Sequence, residues 1–343
     1  MDVLKLITRL AIILFFPLLI GFGTYMFLSD VFFSALNPAA TEKVIVEIAP
    51  GKTFGDISRD LRDRGVLRYA WSLSALARLK KVDTKIKAGE YEISASMTPR
   101  EVLAKLMSGD ILKRMVTLKE GQTMLDLAVA LEEAGVIKKE AFVPSLTDPD
   151  LLAKAGLNVS SFEGYLFPET YLFSRPIDAA HIIWRMLEEG EKRWTTEFAN
   201  RADELRMSRH EILILASIVE KESGLADEQP RIASVFHNRL SQGMKLQADP
   251  TVIYGIPNFN GNITKEDLQN ADNSYNTYMH FGLPPGPICN PSETAIHATL
   301  FPETTNYLFF VSDGNGRHLF STTLQEHNEN VARLVKRTTS NMQ

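Results

Sequence analysis

Residues 10–28, LAIILFFPLLIGFGTYMFL, carry no charge, and they form the longest feature in the hydrophobic pattern. The run is about the length needed to cross a ~30 Å hydrocarbon core. Lys5 and Arg9 precede it and Asp30 follows, so the positive-inside rule predicts a cytoplasmic N-terminus with everything after Asp30 outside. The run exceeds a usual signal core and no A-x-A site follows it closely, which predicts an uncleaved single-pass anchor within residues 1–30. Beyond it the pattern changes to short amphipathic units. Val46–Leu67 recurs as Val116–Ile137, with Gly51/Gly121, Thr53/Thr123, Asp56/Asp126, Leu61/Leu131 and Gly65/Gly135 in register. Each copy reads as a strand, a Gly turn, a Thr N-cap and an amphipathic helix closed by Gly. A second helix over Tyr69–Lys80 and the alternating run Glu90–Ile93 complete a β-α-α-β unit over Val44–Ile93. Thr98 with Glu101 forms a capping box, opening a helix through Met107 that Gly109 ends.

Further along, the pattern predicts helices at Ala179–Ala199, Glu211–Ser223 and Arg231–Gln242. Gly282–Pro291 must be an irregular loop, since its four prolines remove donors and fix dihedrals. Tyr307–Val311 is strand-like, a Gly-rich turn follows at Asp313–Gly316, and a terminal helix closes the chain. The fold class is α+β.

The helix beginning at Ser208 carries the most pointed chemistry. Ser208 and Glu211 form a capping box, Gly224 is the permissive residue expected just past the C-terminus, and Ile212–Val219 is apolar almost all round, so the helix should lie inside a core. It ends in two glutamates, Glu220 and Glu222, roughly 200° apart around the axis. Glu222 follows the stripe of Leu215, Ile218 and Val219, while Glu220 lies over the smaller, more polar surface of Leu213, Ala216 and Ser217. The negative end of the helix dipole and desolvation both oppose ionisation, with desolvation greatest at Glu222. Glu222 is therefore the candidate acid; the bland alternative is two ordinary last-turn residues solvated beside Lys221.

Composition narrows the classes. With 343 residues the chain can hold an anchor and two modest domains, and its 45% hydrophobic and 23% charged content is that of a folded protein. A net charge of -5 gives no reason to expect nucleic acid as a partner. The single cysteine, Cys289, excludes an intrachain disulfide and any cysteine-cluster metal site. The seven histidines include no close ligand pair, so neither a metal nor another cofactor is expected. Leu246–Thr251 and Ser274–Tyr278 cluster amides, hydroxyls and aromatics, groups suited to a sugar site. Gln247, Asp249, Tyr275, Asn276 and Tyr278 are its candidate contacts, together with Glu163 from the aromatic, carboxylate-bearing stretch Glu163–Tyr171.

The motifs A-S-I-V-E-K-E-S (216–223), A-S-V-F-H-N-R-L (233–240), L-Q-A-D-P-T-V-I-Y-G (246–255), Y-N-T-Y (275–278), G-L-P-P-G-P-I (282–288) and Glu326-His-Asn328 together resemble the YceG-like endolytic murein transglycosylases of the MltG type. The likeness runs from the anchor to the C-terminus. It implies a transmembrane anchor (1–30), a small β-α-α-β LysM-like peptidoglycan-binding module within residues 31–110, and a larger mixed α+β catalytic domain (111–343). It also implies a bitopic inner-membrane protein with its catalytic domain in the periplasm, acting on peptidoglycan glycan strands, with peptidoglycan synthases as expected protein partners. The family's catalytic glutamate, second in E-K-E-[ST], corresponds to Glu222. By that likeness Glu222 protonates the glycosidic oxygen between N-acetylmuramic acid and N-acetylglucosamine. The same carboxylate then takes the proton of the muramic C6 hydroxyl as a 1,6-anhydro end closes. Two positions depart from the pattern: Ser223 replaces a frequent Thr, and Ser292 stands where Gly often follows Asn-Pro. The competing classes are a non-catalytic wall-binding scaffold that recruits synthetic machinery, and lyase chemistry on a small metabolite, which the extracellular topology opposes.

Overall fold

The computed structural model describes residues 2–82 and 86–341. It divides into two compact units, one of Met1–Arg114 with Phe173–Pro176 and one of Met115–Leu172 with Ile177–Gln343. In the first, α1 (Asp2–Phe33) is a continuous helix whose Ile7–Phe33 stretch, with mean hydropathy 2.2, is long and apolar enough to cross a bilayer. Strand β1 (Lys43–Ile48), α2 (Phe54–Asp63), α3 (Ala70–Leu79) and β2 (Gly89–Ser94) follow in the strand–helix–helix–strand order of the sequence pattern. The two strands pair antiparallel, Val46 opposite Tyr91. Alternation along β1 turns Val46 and Ile48 inward against Ile57, Leu61, Leu73 and Ala77. α4 (Pro99–Ser108) closes this core, beginning in the Thr98–Glu101 capping box and ending at Gly109 in the left-handed region. β2 departs from simple alternation at Glu90, which is buried and pairs with Arg114 and Arg175.

Strand β3 (Arg114–Thr117) and α5 (Met124–Glu133) reproduce β1 and α2, so the sequence repeat is a structural one. Gly51 and Gly121 turn the chain at φ 82° and 72°, which a side chain would strain. Thr53 and Thr123 accept the N–H of Asp56 and Asp126, whose carboxylates accept from the cap residues in return. Two short helices, α6 (Lys139–Phe142) and α7 (Pro149–Lys154), precede β4 (Thr170–Phe173), which pairs with β3.

Residues 179–199, which read as one helix, are two: α8 (Ala179–Arg193) and α9 (Thr196–Leu205). The break falls at Thr195, whose hydroxyl accepts the N–H of Phe198 as an N-cap while Trp194 packs edge-on against the Phe198 ring. The apolar period continues through the break, which conceals it. α10 (Arg209–Glu222) is central, with Ile212–Val219 all buried. One flank, including Ile214, Leu215 and Ile218, packs with Ile232, Phe236 and Leu246; the other, Ile212, Leu213 and Ala216, packs with Phe198 and Leu300. Its Ser208–Glu211 capping box is present. Its C-terminus differs from expectation, because Gly224 does not take the left-handed conformation. Ser223 instead turns extended (φ −139°, ψ 125°), and its hydroxyl accepts the N–H of Leu225 at 3.1 Å.

Helices α11 (Gln229–Ser241), α12 (Asp249–Tyr254), α13 (Lys265–Gln269) and α14 (Glu293–Leu300) follow. The chain then forms the hairpin β5 (Phe309–Ser312) and β6 (His318–Ser321), Phe310 opposite Phe320, before α15 (Leu324–Asn341). β6 is absent from the sequence reading, since four residues give too short an alternation to register.

Candidate active site

A cavity of about 270 Å³ opens in the second unit beside the end of α10. Its lining comes from five places in the chain: Glu222 from α10, Arg239 from α11, Leu246, Gln247 and Asp249 at the start of α12, Tyr278, and Phe310 with His318 from the hairpin. Buried hydrogen bonds fix these pieces to one another. Arg239 is 7% exposed and donates through Nε to the Leu308 carbonyl and through Nη1 to the Leu246 carbonyl, both at 2.6 Å. It thereby holds the hairpin and the 245–249 turn to α11. Thr277 is the second tie. Its hydroxyl accepts the N–H of Ala248 at 3.0 Å and meets the Thr251 hydroxyl at 2.9 Å, and its carbonyl accepts the N–H of Gln247 at 3.2 Å. Gln247 is held at φ 50°, a conformation that costs a non-glycine residue energy and that recurs where surrounding structure aims a side chain.

The electrostatics centre on Glu222. No hydrogen bond reaches its carboxyl group from any described residue, and burial pushes it up to about 7. The Asp249 carboxylate raises it further and the Arg239 guanidinium opposes. Asp249 is itself held by the Tyr278 hydroxyl, which donates to Oδ1 at 2.6 Å. Two acidic groups thus share one cavity in different states of satisfaction, one tied and exposed, the other untied and half-buried. Glu220 has a different environment. Its Oε2 accepts the N–H of Ser292 at 3.0 Å and the Ser292 hydroxyl at 2.5 Å, joining the end of α10 to the N-cap of α14. Ser292 has ordinary extended dihedrals (φ −67°, ψ 161°), and its hydroxyl, which a glycine would lack, also accepts the N–H of Ala295 as the cap of α14.

Of the six candidate sugar contacts, Gln247, Asp249 and Tyr278 line the cavity with Glu222. The other three lie elsewhere. Glu163 is 1% exposed and belongs to the interior: Oε1 accepts the Met124 N–H at 3.0 Å and the Asn290 side-chain amide at 3.1 Å, and Oε2 accepts the Tyr254 hydroxyl at 3.2 Å. Burial pushes its carboxyl up to about 7, against those bonds. Asn276 is fully buried and donates to three backbone carbonyls at 267, 268 and 270 while accepting the N–H of Tyr278, so it shapes the loop that carries Tyr278. Tyr275 packs on Tyr254 with ring centroids 4.9 Å apart. A polar, aromatic cluster in sequence does not separate side chains that build a loop from those that the loop presents.

The sequence reading misses Arg239 and His318. Arg239 had a signal: a charge amid the buried positions of α11 needs internal acceptors. His318 had almost none, because it sits on the unrecognised strand β6 and its partner Glu228 is 90 residues away. Among the described residues no group of three or more His, Cys, Asp or Glu side chains could hold a metal ion.

An endolytic murein transglycosylase of Bacillus subtilis is 29% identical over 314 residues, 86% of this chain and 87% of that one. The enzyme of the same name in Streptococcus pneumoniae is 28% identical over 94% of this chain, which spans only 64% of the pneumococcal protein. A crystal structure of a YceG-like protein from Listeria monocytogenes covers 84% of this chain and 99% of its own, with 34% identity and a TM-score of 0.59. Residues 46–333 match the model of the YceG-like family, and the chain belongs to that family.

Proposed function

We propose that this protein is a lytic murein transglycosylase that cuts glycan strands internally at the bond between N-acetylmuramic acid and N-acetylglucosamine, with Glu222 as its acid. The observation that carries the proposal is the state of Glu222: an untied carboxyl at a helix end, pushed up to about 7, on the wall of a polar cavity. At neutral pH a large fraction of such a group is protonated and able to donate. The names of the similar proteins supply the substrate class.

In this reading Glu222 gives its proton to the glycosidic oxygen, the C1–O bond breaks, and the muramic C6 hydroxyl closes onto C1. An internal nucleophile needs no water and no second carboxylate to activate one; the newly formed Glu222 carboxylate can accept the hydroxyl's proton. The Asp249 carboxylate lines the same cavity as Glu222, a stabilising placement where positive charge develops. Gln247 and Tyr278 offer hydrogen bonds to sugar hydroxyl and acetamido groups. The apolar helix anchors the chain in the inner membrane with the N-terminus cytoplasmic, placing the cavity on the periplasmic side, where nascent strands and the synthases that make them are found. The β1-α2-α3-β2 unit serves as a LysM-like wall-binding module.

The test is digestion of purified uncrosslinked glycan strands by the full chain in detergent micelles, with mass spectrometry of the ends. Anhydro-muramic ends, formed equally with and without a chelator, are expected. Reducing ends would show a hydrolase and overturn the mechanism, and intact strands would overturn the enzymatic reading.

A further inference from the structure

Aromatic rings of the first unit gather where its long apolar helix stops being exposed. The side chains of α1 are exposed from Ile7 through Leu28, and protein begins to cover them at Ser29, with Val31 only 2% exposed. Counted from Arg9, a ~30 Å hydrocarbon core takes about 20 residues of helix, which ends it near Ser29. The seam between lipid and protein therefore falls at residues 27–31, and the rings meet there. The Phe27 ring centroid lies 6.1 Å from Tyr69 and 6.5 Å from Trp71, and Trp71 stands edge-on to Phe32 at 5.9 Å. Asp30 pairs with Arg68 at 2.9 Å, and the Arg100 guanidinium covers the Phe33 ring at 5.9 Å. Trp and Tyr favour the headgroup level of a bilayer, where an apolar ring and its polar tip are both satisfied.

Helix α3 extends this collar. Trp71 is 45% exposed and Leu79 74%, on a helix whose other side, with Leu73, Leu76 and Ala77, lies in the core. Trp71, Ala75, Arg78 and Leu79 fall within an arc of roughly 100° at 3.6 residues per turn. Isolated exposed apolar side chains are ordinary. A Trp and a Leu on one helix face, flanked by the exposed Arg78 and Lys80 and adjoining a membrane span, have the composition of a helix lying in an interface. Resting on the reading of α1 as a membrane anchor, we propose that this face of α3, with Tyr69 and Phe27, is seated in the headgroup layer of the outer leaflet. Trp71 and Leu79 enter the acyl boundary, and Arg78 and Lys80 keep their charges among the lipid phosphates. A sugar platform would need a ring standing clear of the bilayer, whereas Trp71 lies against Phe27, a residue of the span itself, at an interplanar angle of 29°. Helix α1 runs into this contact unbroken, so the unit is held down on the bilayer instead of swinging from a tether.

Depth in the bilayer can be read from tryptophan emission. The full chain is placed in nanodiscs of phosphatidylethanolamine and phosphatidylglycerol that carry bromine either near the glycerol end or near the tip of the acyl chain. Trp71→Phe gives the Trp71 signal by difference from the wild type. Leu79→Trp in the Trp71→Phe chain gives a reporter at the far end of α3. Trp184 and Trp194 are common to all and cancel. Both reporters should lose about half of their emission to shallow bromine, distinctly less to deep bromine, and little to iodide in the water. Thermal melts confirm that each variant is folded; if Leu79→Trp does not fold, Arg78→Trp reports from the same face. An α3 reporter that iodide quenches and shallow bromine does not overturns the proposal, because closeness to the anchor would by itself explain quenching of Trp71. Trp71 emission that answers to added glycan strands and not to brominated lipid makes the face a sugar platform and overturns it as well. Leu19→Trp, at the middle of the apolar run, tests the underlying reading separately. Quenching strongest by deep bromine supports the span, and no quenching by lipid means that the anchor reading itself fails.

Discussion

Glu220 and Glu222 stand two residues apart in the last turn of α10, and only Glu220 is tied down: its Oε2 accepts two hydrogen bonds from Ser292, while no described residue bonds to the Glu222 carboxyl. The contrast follows from helix geometry. Side chains two apart point to opposite sides, so one reaches the N-cap of α14 and the other the cavity. Glu222→Gln should keep the fold and lower turnover by about a hundredfold or more, since the amide has the shape of the acid but no acidic proton. Glu220→Gln should retain most of its turnover and lower stability by about 1 kcal/mol, the cost of weakening a charge-assisted pair. Rates on glycan strands beside thermal melts give both quantities. Equal losses of turnover in the two variants would remove Glu222 from its role.

Asp249 acts on Glu222 through its charge, and this gives a signed prediction for the alkaline limb. The neighbouring carboxylate helps hold the Glu222 proton, so Asp249→Asn should let that proton leave more easily. Activity needs protonated Glu222. The alkaline limb of the pH–rate profile should therefore move to lower pH, and the variant should lose more activity at pH 8 than at pH 6. A limb that stays in place would mean that Asp249 contributes only contacts to the sugar.

The Glu163–Gly164 turn is packed against the Pro-rich loop. Gly164 has φ 83°, and a Cβ there would lie 2.4 Å from Cβ and Cγ of Pro287. Proline cannot rotate away, so Gly164→Ala should destabilise by about 2–4 kcal/mol, with strain and overlap both contributing. Gly156→Ala is the matched control: φ is 71° but nothing lies within 4 Å of the added carbon. It should cost about 1 kcal/mol from the backbone alone. Similar losses in the two variants, read as chemical-denaturation free energies, would show that the Pro287 contact does not constrain the turn.

Much of this architecture was legible in the pattern of residues. The repeat was visible because each copy carries its own turn glycine, capping threonine and closing glycine, all local devices. The burial of α10 and the separation of its two glutamates followed from its period alone. What was hidden depends on partners far along the chain. Nothing local to His318 announces Glu228, and nothing local to Glu163 announces that Met124, Tyr254 and Asn290 will enclose it. Glu163 and Asp249 look alike as carboxylates in polar, aromatic stretches. Only packing makes one an interior tie and the other a cavity group. The split of residues 179–199 was concealed for a related reason, because an N-cap threonine and a helical threonine are the same letter until the chain turns.

Glu163 gives the last prediction, on stability. Its carboxyl rises from an ordinary 4.5 in the unfolded chain to about 7 in the folded one, because burial opposes the charged form. The folded state therefore holds this proton more tightly than the unfolded state does. Stability from the protonated group is fully present below about pH 4.5 and is lost as pH rises through about 7, a total of about 3 kcal/mol at 1.36 kcal/mol per pH unit. Glutamine has the shape of the protonated acid: its carbonyl oxygen can accept from Met124 and Asn290, and its amide can donate to the Tyr254 oxygen. Glu163→Gln should accordingly match the wild type at pH 4.5 and exceed it by about 2–3 kcal/mol at pH 8. Glu222 also titrates near neutrality, but it is common to both proteins and cancels in the difference. Denaturant melts of both proteins at the two pH values measure it. A variant that is less stable by the same amount at both would show that the site requires the charged carboxylate, and the pH-dependent burden assigned to Glu163 would be wrong.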